Sequence, residues 1–165
     1  IGYNFCPFAR REFVRNTINY TVSSSNSIEP VLYELVDELT VLDHNPSKET
    51  TLIILPQGFQ SFDDYLDLVD YSNQLLERLE YSGVYQIATF HPDYCFDGLD
   101  NDDPANYTSR SPYPMLHILR ETSLDQALEN YDDPESIPDN NVKLAREKGV
   151  AVFTDILKKS FKAEP

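Results

Sequence analysis

The sequence predicts a single α/β domain, a mixed sheet of about four strands with helices packed on it, over residues 1–165. Three observations predict it. Short β-prone runs alternate with longer stretches of helical apolar period, the pattern of strands joined by crossing helices. The 165 residues match one ordinary domain, able to bury roughly two-thirds of its unfolded surface. A content of 41% hydrophobic and 12% aromatic residues belongs to a chain that folds.

Ile1 to Phe8 mixes apolar residues with Cys6-Pro7 and passes into the basic Arg10-Arg11. In Ile18–Val22 the apolar Ile18, Tyr20 and Val22 alternate with Asn19 and Thr21, the period of a half-buried strand. The serines of residues 23–27 supply turn and capping groups, and a helix follows from about Ile28, with Pro30 tolerated in its first turn. Ile28, Val31, Leu32, Leu35, Val36, Leu39 and Leu42 make its apolar stripe, and Asn45-Pro46 ends it. Thr51–Leu55 is a short continuous apolar run, expected as a central buried strand. Ser61 opens the next helix, with Asp63 and Asp64 in its positive first turn and Gly83 as its stop. Leu66, Val69, Leu76 and Leu79 are expected on its buried face, and Val84–Phe90 is a third strand.

Residues 91–114 form a loop with five aspartates, four prolines and Gly98. Loops this long within a domain are functional or disordered. Tyr94, Phe96, Tyr107 and Tyr113 favour one that is ordered and packed down. Met115–Arg120 reads as strand or short helix, with the strand preferred because Ser123 and Gln126 form a capping pair after it. A helix over Ser123–Asn130, a loop over Asp132–Pro138 and a C-terminal helix from Asp139, broken at Gly149, complete the chain. The order leaves thioredoxin-like and ferredoxin-like topologies open. Cys6 precedes the first strand and no Cys-x-x-Cys is present, so the thioredoxin-like option concerns topology alone.

The net charge of −15 repels phosphate backbones and anionic lipid, so neither nucleic acid nor a membrane surface is expected as a partner. No apolar run reaches the ~20 residues that cross a bilayer, and two cysteines cannot build a secreted disulfide framework. A cytoplasmic location is therefore expected. The chain opens on Ile1 rather than Met, so a preceding segment is expected too. From His91 to Asn140 twelve acidic residues accompany only two basic ones, Arg110 and Arg120.

Three blocks stand out: Ile1-Gly2-Tyr3-Asn4-Phe5-Cys6-Pro7-Phe8-Ala9; Phe90-His91-Pro92-Asp93-Tyr94; and Asn106 to His117, with Leu119-Arg120-Glu121. Met in order over nearly the whole chain, with Ile137-Pro138 before the last helices, they resemble the hallmark blocks of a bacterial family, domain of unknown function 1415. The resemblance implies a cytosolic bacterial protein and carries no activity, fold or ligand with it.

The residues themselves point to a site between Phe90 and Glu121. His91 ends a strand, where α/β proteins place their ligands. If the next element lies alongside, His91, Asp93, Arg110, His117 and Glu121 converge on one cleft. The histidines and carboxylates (His91, His117, Asp93, Glu121) offer proton transfer near neutral pH. Arg110 and Arg120 offer an anion clamp, with Tyr94 and Tyr113 beside it and Arg10 joining if the N-terminal segment folds over. The expected ligand is a small anionic metabolite. The alternative is a protein-interaction module that docks a basic partner on the acidic, Tyr-rich loop; in a third reading the blocks only hold the loop down. Zinc on His91, Cys95 and His117 lacks paired close spacing, and Asp97, Asp100, Asp102 and Asp103 lack the Gly and Glu of a calcium loop, so no metal is assigned. Cys6 sits among Phe5, Pro7 and Phe8 and reads as inert. With five glycines and no Gly-rich fingerprint, nucleotide binding through such a loop is set aside.

Overall fold

Four segments rich in β-branched and aromatic residues pair into one sheet in the order β1-β2-β4-β3: β1 (Ile18–Val22), β2 (Thr50–Ile54), β3 (Tyr85–Phe90) and β4 (Met115–Arg120). The structure is a computed structural model and describes residues 1–129, 131 and 133–161. β1 and β2 are parallel, and β4 lies antiparallel between β2 and β3. The sheet is thus mixed, β1, β2 and β3 end at one edge, and Met115–Arg120 is a strand.

Side chains alternate across a strand, so the register assigns each residue to a face. Ile53, Leu116, Ile118 and Tyr85 share the face covered by α2 (Ile28–His44) and α3 (Phe62–Arg78). There they pack with Val31, Leu35 and Leu39 of α2 and Tyr65, Leu68 and Leu76 of α3. Each such aliphatic side chain contributes ~2 kcal/mol by leaving water. The buried stripe of α3 is Tyr65, Leu68, Ser72 and Leu76, whereas the expected Leu66 and Leu79 are exposed. The aspartates at 63, 64, 67 and 70 face water and set that rotation. Ser72 is satisfied in the core by donating to the Leu68 carbonyl at 2.7 Å.

Several boundaries differ from the sequence reading, and α3 already ends at Arg78, ahead of its expected stop at Gly83. A seven-residue helix, α1 (Ala9–Arg15), forms where only a basic stretch is apparent. Tertiary contact holds it, since Phe8 and Glu12 are buried and the Thr17 hydroxyl donates to the Glu12 carboxylate at 2.6 Å. α4 (Glu121–Leu128) starts directly off β4. Ser123 therefore lies inside the helix and donates to Glu49 instead of capping. The expected helix end at Asn130 and loop start at Asp132 lie outside the described residues. α5 (Ile137–Lys148) takes Pro138 into its first turn rather than leaving it in a loop, and Gly149 divides α5 from α6 (Val150–Ser160).

The 91–114 loop is packed down. Its centre is a 3-10 helix over Pro104–Thr108, and fully buried Asn106 ties it together by accepting from the Phe96 N–H at 3.0 Å and donating to the Asp100 carbonyl at 2.9 Å. Tyr107 stacks on Phe153 of α6 with ring centroids 5.5 Å apart, and Tyr3 and Phe5 close on the same ring. The N-terminal segment, the loop and α5 thus stand over the face of the sheet that α2 and α3 leave open.

Candidate functional site: a cleft over the open sheet face

Register builds the floor. His117 pairs with Leu52 on β2 and Ala88 on β3, and Phe90 and Leu119 flank it on the same face. Walls come from Phe5 and Cys6, from Leu99 and Tyr107–Arg110 of the loop, and from Asn141, Val142 and Arg146 of α5. The cleft is open to solvent on one side, its volume is about 1000 Å³, at the upper end of small-molecule sites, and its surface is mostly apolar. Asn141 anchors the N-terminal wall by donating to the Phe5 carbonyl at 2.7 Å.

His117 is the polar group of the floor, and its tautomer follows from its neighbours. Thr50 is buried and its hydroxyl proton goes to the Ile118 carbonyl, 2.5 Å away. The Thr50 oxygen, 2.7 Å from Nε2 of His117, can then only accept, so Nε2 carries the proton. Nδ1 retains its lone pair and has no protein partner among the described residues. Burial pushes the imidazole pKa down to about 4, so the ring is neutral at pH 7.

Arg110 stands on the wall. Its Nε donates to the Tyr94 carbonyl at 3.0 Å and its Nη2 to the Asn101 carbonyl at 2.7 Å, while the guanidinium lies 4.6 Å from the Tyr107 ring centroid. These contacts orient the cation without cancelling its charge, and among the described residues no carboxylate lies within ion-pair distance of it. Arg146 differs. Its Nε and Nη2 grip both oxygens of Asp103 at 3.1 and 2.8 Å, and this bond, more than the charge alone, holds the Asp103 carboxyl below its usual pKa.

The other residues named from sequence do not meet here. His91 is fully buried, with Phe62 and Tyr65 rings each 5.1 Å away. Its Nε2 lies 2.9 Å from the Phe59 carbonyl and its Nδ1 accepts the Asp93 N–H at 3.0 Å, so both ring nitrogens are engaged. The Asp93 carboxylate is exposed and borders a smaller hollow of about 410 Å³ that Asn101, Asp102 and Arg110 also line. Tyr94 packs between Phe62 and Phe96. Arg120 lies on the helix-covered face at the opposite sheet edge, donating to the Tyr85 hydroxyl at 2.8 Å and to the Leu42 carbonyl, 3.9 Å from Glu49. Asp43 completes that cluster; the Tyr81 hydroxyl, and then that of Tyr85, lowers its pKa against the opposing effect of burial. Glu121 opens α4 at the same far edge, its N–H bonded to the Val84 carbonyl. Tyr113 packs edge-on to Phe161, and Arg10 is exposed on α1.

Of the named set, the cleft therefore gathers His117 and Arg110 and leaves the rest outside. It adds Arg146 and Asn141, which the sequence did not single out, and the N-terminal segment borders it through Phe5 and Cys6, not through Arg10. Cys6 is in the lining, whereas the thiol of Cys95 lies 3.4 Å from the Leu99 carbonyl inside the loop. Among the described residues no three of His, Cys, Asp and Glu are grouped to hold a metal ion, and no helix is long and apolar enough to cross a membrane.

No curated protein and no solved structure matches the chain. A family model does, over residues 1–155, which take in the whole sheet and every cleft residue named above. The chain belongs to the family described as protein of unknown function, DUF1415.

Proposed function

We propose that the chain binds a small anionic ligand in the cleft over the open sheet face, with Arg110 taking the negative charge and His117 meeting the ligand's polar group. Arg110 carries the reading. A guanidinium aimed by two backbone carbonyls and a tyrosine ring, with its charge uncancelled, is preorganised for a carboxylate or phosphate oxygen. Nδ1 of His117, left with its lone pair, is disposed to accept a hydrogen bond from the ligand.

The second reading, an acidic surface that docks a basic protein, has the exposed Asp93, Asp97, Asp100 and Asp102 in its favour. The tyrosines such an interface would use as anchors, Tyr94 and Tyr107, are packed inward, so the small-ligand reading is preferred.

Titration calorimetry with benzoate, a simple apolar anion, tests the proposal on the wild type, Arg110→Gln, Arg110→Lys and Arg120→Gln. A charge-assisted hydrogen bond is worth about 1.5–3 kcal/mol, so Arg110→Gln should weaken binding at least tenfold. Arg110→Lys should retain part of the affinity, and Arg120→Gln, at the far edge, should retain it all. Unchanged affinity in a folded Arg110→Gln protein would overturn the proposal.

A further inference from the structure

We infer that the ligand is a monoanion with an apolar body that also carries a hydrogen-bond donor, the donor meeting Nδ1 of His117 while the anionic group meets Arg110. The inference rests on the anion-cleft reading above and specifies the ligand class. Three features of the cleft carry it.

The first is charge count. Among the described residues two arginines line the cleft; Arg146 is held by both oxygens of Asp103, which leaves Arg110 as the arginine with an uncancelled charge. Asp97 is also in the lining, and the chain as a whole carries −15. A multiply charged anion such as a polyphosphate is repelled at a distance and finds a single cation on arrival. The second is the wall. Phe5, Phe90, Leu99, Leu119 and Val142 surround most of a volume near 1000 Å³, far more than a bare carboxylate or phosphate needs. Affinity must come from an apolar body lying against them.

The third is the imidazole. Its Nε2 proton is committed to Thr50, whose own proton is committed to Ile118, and this relay leaves Nδ1 as an acceptor only. A carboxylate or phosphate oxygen brought to Nδ1 would set lone pair against lone pair. A hydroxyl, amine or protonated ring nitrogen on the ligand satisfies it. A ligand with anion and donor at separate points of one apolar frame fits both residues, whereas a ligand with either alone leaves one of them unmatched.

The test is a probe series on the wild-type protein, read by titration calorimetry: inorganic phosphate, benzoate, 3- and 4-hydroxybenzoate, and phenol. At least one hydroxybenzoate should bind five-fold or more tighter than benzoate, with phosphate and phenol weakest. In His117→Leu that gap should close, and in Thr50→Val, which frees the ring from its relay, it should narrow. The wild-type series is decisive even where a variant folds poorly. Benzoate equal to both hydroxybenzoates would overturn the donor inference and leave the anion cleft standing. Phosphate equal to benzoate would overturn the apolar body. Failure of every probe to saturate would overturn the cleft reading itself.

Discussion

Acidification should destabilise this protein through His117 in a window fixed by its two pKa values. In the unfolded chain the imidazole titrates near 6.5, and in the fold burial lowers it to about 4. Between those values the unfolded state binds more protons, so stability falls as pH drops from about 6.5 towards 4 and is fully retained above that window. Integrating the two titrations gives a loss of roughly 2 kcal/mol at pH 5 relative to pH 7. For a chain of this size that lowers the melting temperature by roughly 4–8 °C. Asp43, whose folded pKa is depressed, gives up its stabilisation only as pH falls below its ordinary value of 3.8, outside this interval, so a variant without the imidazole is the control that isolates the histidine. The comparison is with His117→Gln, which keeps a donor for Thr50 but does not titrate. Melting both proteins at pH 7 and pH 5 should show the larger drop in the wild type, by about 2 kcal/mol. Equal drops would refute the lowering of the imidazole pKa by burial.

Tyr65→Phe should cost about 2 kcal/mol in urea unfolding, because the hydroxyl donates to the Met115 carbonyl at 2.7 Å and accepts the Phe90 N–H at 3.1 Å, and both groups would lose a buried partner. A loss below about 0.5 kcal/mol would contradict that double role. Gly58 has φ +72°, and a Cβ there would stand 2.7 Å from the Asn26 Cα. Gly58→Ala should therefore destabilise by roughly 2–4 kcal/mol in the same assay, from left-handed strain and overlap together, and a neutral result would contradict the close approach. Asn106→Asp replaces a donor to the Asp100 carbonyl with an acceptor. Limited proteolysis should then cut within residues 91–114 faster than in the wild type, and equal rates would contradict the buried asparagine's role.

The strands and long helices were legible because their periods are local: Ile18–Val22 alternates and α2 repeats its apolar residues every three or four positions. α1 was not, since seven residues carry too little periodic signal and what holds the helix, the burial of Phe8 and Glu12, is tertiary. The stretch from Phe90 to Glu121 does contribute His117 and Arg110 to the cleft. Pairing His91 with His117 failed on parity and register together. His91 falls in phase with Ile87 and Thr89, and the alignment of β3 on β4 puts Ile87 beside Ile118 and Ala88 beside His117. The two histidines therefore point to opposite faces. Arg120 falls in phase with Leu116 and Ile118 and goes to the helix-covered face for the same reason. Parity can be counted along one strand, but the relative phase of two strands 24 residues apart depends on a pairing no local pattern encodes. Arg146 and the N-terminal wall enter from the two ends of the chain, and only packing brings them to the sheet.

The central claim is that an anion binds on the open sheet face beside Arg110. Backbone amide NMR during a benzoate titration locates binding directly. The account predicts saturable shifts concentrated at Ala88, Thr108 to Arg110, His117 and Val142, with the Arg120 and Glu121 amides at the far edge unmoved. Shifts centred on that far edge, or none at saturating benzoate, would contradict it.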